Sequence, residues 1–141
     1  MTIEVIPILI SAIAASIVWF FVGAAVYMNP VVARIYARYE DTPSVKDRGD
    51  TTTFLVNTFL YSILIQCILF AFVYAYLQSL LPDDILLTTL YFGLILTAIK
   101  IIPRFLDMWM QSTYPPTLLT IEAINGAIGS FVIALIFAVT I

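Results

Sequence analysis

The chain has 141 residues, of which 62% are hydrophobic and only 11% are charged, and its formal net charge is −3. A soluble domain of this size keeps a large fraction of its surface exposed and could not hide so much apolar material, so we expect lipid as its solvent. With no histidine and a single cysteine, Cys67, the chain lacks an internal disulfide and the imidazole ligands that zinc, copper and haem commonly use. We therefore expect no metal and no cofactor, and nothing in the composition indicates a nucleic-acid partner.

Four long apolar runs predict an all-α fold, because a membrane span needs roughly 20 apolar residues and a backbone in lipid must satisfy its own hydrogen bonds. The runs are unbroken rather than alternating, which favours helices over a β-barrel. We predict a single polytopic membrane domain over 1–141, built as a four-transmembrane-helix bundle. Its predicted spans are 5–28, 53–81, 84–102 and 117–141.

A short amphipathic helix is predicted over 30–40, directly after the first span. Asn29 has the side chain of an N-cap, and Pro30 suits the first helical position. Apolar and aromatic residues recur on one face of the stretch VVARIYARYE, while Arg34 and Arg38 lie on another. Such a helix suits the boundary between headgroups and hydrocarbon, where it either stabilises the underside of the bundle or senses lipid or a partner.

The basic residues predict how the chain crosses the membrane. They are Arg34, Arg38, Lys46, Arg48, Lys100 and Arg104. All six fall on one side, in or beside the connections 29–52 and 103–116, whereas Glu4, Asp83 and Asp84 fall on the other. The positive-inside rule then makes both connections cytoplasmic and both termini external, in a multi-pass protein of the cell inner (plasma) membrane.

The stretch KIIPRFLD (100–107) places three charges and a proline where the third span should end. Lys100, Arg104 and Asp107 are spaced i, i+4 and i+7, so a continuous helix would carry them on one face. Pro103 would kink that helix, because it removes one backbone hydrogen bond. Counted from the start of the third span, Lys100 lies about 24 Å into a hydrocarbon core of roughly 30 Å.

Glu122, near the start of the fourth span, is the only acid well inside an apolar run, and it lies at a depth similar to that of Lys100. Because an unpaired ion there is costly, we predict an interhelical ion pair between Glu122 and Lys100 or Arg104. Asp107 is expected as a surface-level companion. Two interpretations stay open: a pair that fixes the register of the helices, or a polar pocket open to the cytoplasm that also includes Asn125.

Small and polar residues predict how the spans pack. Gly23 in the first span and Gly126 and Gly129 in the fourth permit close approach of helices. Polar side chains within the spans are expected to face one another, which would give the cytoplasmic half of the bundle a polar interior. In the second span these side chains are Asn57, Thr58, Tyr61, Ser62 and Gln66.

Two stretches at opposite ends of the chain carry a familiar pattern. In WFFVGAAVYMNPVVARIY (19–36), an aromatic residue, a glycine and a tyrosine lead into a short helix after the span. In YPPTLLTIEAINGAIGSFVIALIFAV (114–139), the span is entered through proline and carries a small-polar motif. These stretches resemble the first and last spans of the domain of unknown function 1761 family, which comprises small four-span prokaryotic membrane proteins. The matching residues are Trp19, Gly23, Tyr27, Pro30, Asn125 and Gly126. The resemblance implies the four-span architecture and brings no reaction or substrate with it.

The leading hypothesis for function is a structural or accessory membrane component without enzymatic activity. It would be surrounded by membrane lipids and assembled as a homo-oligomer or within a larger membrane complex, because little of the chain lies outside the predicted spans. The alternative is a transporter of a small solute, a proton or a cation, which would use Glu122 as the titrating group of a polar pocket near the cytoplasmic face. A membrane enzyme is least favoured, because Asp107, Glu122 and Tyr61 do not have the spacing of a known catalytic site.

Overall fold

The computed structural model describes residues 3–47 and 49–141, and Arg48, one of the predicted cytoplasmic charges, lies outside the described residues. Within these ranges the chain contains helices and turns and no strand. The helices there are α1 (Val5–Met28), α2 (Pro30–Arg38), α3 (Thr51–Leu80), α4 (Ile85–Gln111) and α5 (Pro116–Thr140). All except α2 are long and apolar enough to cross a membrane, which confirms the predicted all-α fold with four spans.

Helix α4 is longer than the third span predicted from the sequence. A connection is predicted over 103–116, but α4 continues to Gln111. The reason lies in the turn before Pro103, where Thr97–Ile101 is π-helical and α-helical geometry restarts at Ile102. Pro103 therefore lies in the first turn of the restarted segment, where its missing N–H leaves no hydrogen bond unmade.

The four long helices form an open bundle. Helix α1 packs against both α3 and α5, and α5 packs in turn against α4, so α1 and α5 lie at the centre. The backbones of α3 and α4 lie further apart, and side chains bridge the space between them. The ring of Tyr74 on α3 meets the ring of Phe92 on α4 edge-on, with centroids 5.0 Å apart, and Phe137 of α5 packs against both. We call this space the α3–α4 gap.

Two glycines of α5 bring neighbouring helices into close contact. Gly129 lies against the Trp19 indole of α1, and Gly126 lies against a side chain of α4, so a Cβ at either position would overlap its neighbour. Gly23 on α1 differs, because a Cβ there would lie 3.9 Å from both Trp19 and the Asn125 side chain, which is an ordinary contact. Gly129 is therefore required by its space, as is common at helix interfaces in membranes, whereas the flexible end of Ile101 could move away from a Cβ at Gly126.

Both basic connections lie at the same end of the bundle, which we call the basic end. The Ser44 hydroxyl of the first connection donates to the Thr113 carbonyl oxygen of the second, at 3.0 Å.

Asp50 caps the start of α3 by accepting hydrogen bonds from the Thr53 N–H and hydroxyl, at 3.0 and 2.9 Å. These hydrogen bonds hold the pKa of Asp50 below its ordinary value, because they favour the carboxylate.

Only part of the polar interior predicted along α3 is present, because Thr58 and Gln66 are half-buried and the other three predicted side chains are exposed. Asn57, Tyr61 and Ser62 are exposed on the outer surface of the helix, and Tyr61 has 69% of its surface accessible. The segment Thr58–Leu64 is π-helical. Because a π turn holds more residues than an α turn, it changes the phase between the residues on its two sides, and continuous α-helical spacing no longer describes which of them face inward.

Substituting Gly129→Ala should destabilise the protein, because the added Cβ would overlap the Trp19 ring and force α1 and α5 apart. Overpacking of this kind costs about 1 to 3 kcal/mol. Gly23→Ala is the matched control, since its added Cβ has room. Thermal unfolding in detergent, followed by size-exclusion chromatography, should give a lower midpoint for Gly129→Ala than for the control. Equal midpoints would contradict the close contact.

Candidate functional site

The carboxylate of Glu122 is the centre of the basic end. Only 17% of its side chain is exposed, and both of its oxygens have partners. The hydroxyls of Tyr36 on α2 and of Tyr114 in the connection before α5 donate to Oε1, at 3.3 and 2.5 Å. Arg104 of α4 places Nη2 3.6 Å from Oε2. One carboxylate therefore joins three separate parts of the chain to α5.

The two tyrosines are permanent donors at this site. Burial raises the pKa of Tyr36 and of Tyr114 above the ordinary range, and the negative charge of Glu122 raises both further. Both phenols therefore stay protonated at physiological pH and keep an O–H to donate. Hydrogen bonds to an ionised acceptor are stronger than those between neutral groups, so each contributes to holding the segments together.

Helix α2 has further contacts with the bundle. The Tyr27 ring of α1 meets the Tyr36 ring edge-on, with centroids 5.6 Å apart, and the Tyr39 hydroxyl donates to Thr117 Oγ1 at 3.3 Å. Both arginines of α2 are exposed. The aromatic face of α2 is thus docked on the bundle and its basic face is turned outward. We refer to Tyr27, Tyr36, Arg104, Tyr114 and Glu122 together as the glutamate cluster.

Lys100 lies outside the glutamate cluster. Its Nζ is 5.8 Å from the centroid of the Trp19 ring and 5.7 Å from that of the Phe70 ring, distances typical of cation–π contacts. Among the described residues Lys100 forms no ion pair, and Glu122 pairs with Arg104. The π turn explains the separation, because it disrupts the i, i+4 spacing that would place both basic residues on one face.

The two remaining predicted site residues are in different surroundings. Asp107 is exposed and forms no ion pair with any residue that the structure describes. Asn125 is buried, with 6% of its surface exposed, and its Oδ1 has no hydrogen-bond partner among those residues. It lies beside Gly23 and Trp19. The predicted site residues therefore do not share one pocket.

The two tyrosines that hold Glu122 are absent from the sequence-based prediction. A usable signal exists, because a carboxylate at this depth needs several donors and tyrosines lie in both of the adjoining interfacial segments. The resulting cluster can stabilise a negative charge and hold helices together.

In the ranges 3–47 and 49–141, no group of three or more carboxylate or thiol side chains could hold a metal ion.

Residues 10–138 match a family described as "Protein of unknown function (DUF1761)". The match covers most of the chain and confirms the resemblance that the two terminal stretches indicate. Neither a curated protein nor a solved structure matches the chain.

Substituting Glu122→Gln should lower the free energy of unfolding by roughly 1.5 to 3 kcal/mol, the usual contribution of hydrogen bonds to a charged group. The glutamine keeps one acceptor oxygen for the two tyrosines. Its NH₂ group is a donor, so it cannot accept a hydrogen bond from the Arg104 guanidinium. The measurement is denaturant unfolding of the purified protein in mixed micelles. Asp107→Asn, an equal charge change at an exposed position, is the control and should leave the stability unchanged. If Glu122→Gln were as stable as this control, the hydrogen bonds and ion pair of the glutamate cluster would not stabilise the fold.

Proposed function

We propose that this chain, which belongs to the DUF1761 family of proteins of unknown function, is a structural or accessory membrane component that assembles with a second copy of itself through the outer face of α3. The observation that carries the proposal is a group of exposed polar side chains on that face, Asn57, Tyr61 and Ser62. Polar groups that face lipid are costly, and in membrane proteins they commonly hydrogen-bond across to another helix.

The position of these side chains along α3 places part of the group within hydrocarbon. The helix Thr51–Leu80 has 30 residues, which corresponds to about 45 Å, whereas the hydrocarbon core is roughly 30 Å thick. If the helix is centred, each end projects about 7 Å. Ser62 lies about 16 Å from the start of α3 and so well inside the hydrocarbon, while Asn57 lies close to its boundary.

Ser62 also lacks the usual internal partner of a serine in a membrane helix. Ser16 and Ser130 donate to carbonyl oxygens four residues earlier, at 2.7 and 2.9 Å. Ser62 lies in the π-helical segment, and its hydroxyl donates no such hydrogen bond within the described part of the chain. A hydroxyl without a partner in lipid gains a hydrogen bond when a second helix packs on it.

The chemistry of the group favours a second copy over an unrelated partner. A two-fold axis along the membrane normal brings the same residue of each chain together. Serine hydroxyls and asparagine amides each donate and accept, so each can pair with its own copy across such an axis. Towards the other end of α3 the exposed surface continues with Leu69 and Tyr76, which would extend the contact with apolar area.

A disulfide cross-linking experiment tests this interface. In a Cys67→Ala background, Ser62→Cys should form a disulfide-linked dimer when native membranes are oxidised, because the two copies of residue 62 meet at the axis. Ile124→Cys is the control, since Ile124 is also exposed at an intramembrane position but lies on α5. Equal cross-linking at both positions, or none at Ser62→Cys in a folded protein, would contradict the proposal.

The transport alternative has less support. It requires Glu122 to bind and release a proton or a cation, yet both carboxylate oxygens have partners, and these come from α2, from α4 and from the connection before α5. Release of the carboxylate for transport would have to break contacts to all three. The same contacts favour a structural role for Glu122.

We also propose that the protein lies in the cell inner (plasma) membrane with the basic end in the cytoplasm and both termini outside. The support is the charge pattern, because Lys and Arg in short connections are retained on the cytoplasmic side. In a Cys67→Ala background, a membrane-impermeant maleimide should label Asp83→Cys on intact cells and label Lys46→Cys only after the cells are opened. The reverse labelling pattern would mean that the basic end lies outside the cell, which would contradict the proposed topology.

A further inference from the structure

The α3–α4 gap contains an apolar groove that opens at the end of the bundle opposite the basic end. The groove has a volume of about 440 Å³, within the range of small-molecule sites. It is lined by Leu77, Leu80, Leu81, Pro82, Tyr91 and Ile95. Its lining comes from the C-terminal end of α3, from the turn that joins it to α4 and from the N-terminal half of α4. The buried rings of Tyr74 and Phe92 are not part of the lining, so one apolar chain could lie along the groove beside them.

Lys100 lies further along the same gap, towards the basic end. It is on α4, roughly one turn beyond Ile95, and its Nζ reaches across to the Phe70 ring of α3 and the Trp19 ring of α1. Side chains of a helix point towards its N-terminus, so the ammonium group is directed into the membrane rather than out to the basic end. Lys100 therefore does not place its charge in the headgroup region, as a snorkelling lysine does.

The ammonium group of Lys100 lacks a counter-ion within the described residues. Glu122, the only acid well inside an apolar run, is engaged by Arg104 and by two tyrosines. Cation–π contacts reduce the cost of the charge but do not neutralise it. A charged side chain in hydrocarbon normally has a partner of opposite charge, so the structure leaves a place for an external anion.

Asn125 provides a second unsatisfied polar group near this position. It is 94% buried, and its Oδ1 has no hydrogen-bond partner among the described residues. Asn125 and the Trp19 ring both lie within 4.0 Å of the position that a Cβ on Gly23 would take, and the same ring lies 5.8 Å from the Lys100 Nζ. A buried acceptor without a hydrogen-bond partner is costly. A half-turn of the amide group exchanges its oxygen and nitrogen, so Asn125 can present either an acceptor or a donor in that direction.

From these observations we propose that Lys100 binds the carboxylate of a long-chain fatty acid, whose hydrocarbon tail lies in the apolar groove of the α3–α4 gap. The ammonium supplies the opposite charge, Asn125 a further hydrogen bond, and the groove the surface for the tail. A phospholipid fits less well, because its phosphate stays in the headgroup layer outside the hydrocarbon, whereas the Lys100 ammonium points inward. The lining of this site does not include Asn57, Tyr61 or Ser62, the polar group of the proposed dimer.

Native mass spectrometry of the purified full chain with added palmitate tests the proposal. The protein should retain palmitate, and hexadecanol, which has the same tail without the charge, should bind about tenfold more weakly, as expected for the loss of a charge-assisted hydrogen bond. Lys100→Met should lower palmitate binding by a similar factor and remove the preference over hexadecanol. Lys46→Met, the same change at an exposed position, should bind palmitate like the wild type.

A second variant tests the contribution of the groove to binding independently of the charge on Lys100. Ile95→Trp fills the groove and leaves Lys100 in place, so it should reduce binding of both palmitate and hexadecanol. This variant and the wild-type comparison of the two ligands test the proposal even if Lys100→Met does not fold. Equal binding of palmitate and hexadecanol, or palmitate binding unaffected in a folded Lys100→Met protein, would overturn it. Lys100-dependent retention of phosphatidylglycerol without retention of palmitate would also overturn it, in favour of a phospholipid site.

Discussion

A carboxylate held inside the apolar end of a helix bundle needs several donors, and the organisation of the basic end follows from how Glu122 obtains them. Arg104 brings α4 to it, Tyr36 brings the interfacial helix α2, and Tyr114 brings the connection that precedes α5. The loss of any one donor leaves part of a nearly buried charge unsatisfied, which makes the position of each segment depend on the others. Glu122 thus has contacts to α4, to α2 and to the connection before α5 at the same time, as expected of a residue that fixes helix register.

Commitment of Glu122 to these partners has consequences elsewhere in the molecule. It leaves Lys100 without an acidic partner among the described residues, between the rings of Trp19 and Phe70. Two π-helical segments, Thr58–Leu64 in α3 and Thr97–Ile101 in α4, change which side chains face inward. Such turns occur frequently at functional sites, and here they accompany the outward polar group on α3 and the separation of Lys100 from Arg104.

The sequence predicts some features of this protein well because they depend only on the length of the apolar runs and on where charges fall within them. Apolar run length identifies four spans, and the cost of an ion in hydrocarbon indicates that Glu122 needs a basic partner on α4. The choice of Arg104 over Lys100 and the outward direction of Ser62 could not be predicted, because both depend on a local change of helical period that residue spacing does not report. Tyr36 and Tyr114, which donate to Glu122, lie outside the four predicted spans, 86 and 8 positions from it along the chain. Periodicity within a single span therefore contains no information about these hydrogen bonds.

A double-mutant cycle between Glu122→Gln and Tyr114→Phe measures whether Glu122 and its donors act as one structural unit. Free energies of unfolding are measured for the wild type, the two single variants and the double variant. The Tyr114 hydroxyl and the Glu122 carboxylate are 2.5 Å apart, so we predict a coupling energy of about 0.5 to 3 kcal/mol, as found for residues in one hydrogen-bond network. Effects that add to within about 0.3 kcal/mol would contradict it, because they would mean that the two residues stabilise the protein independently.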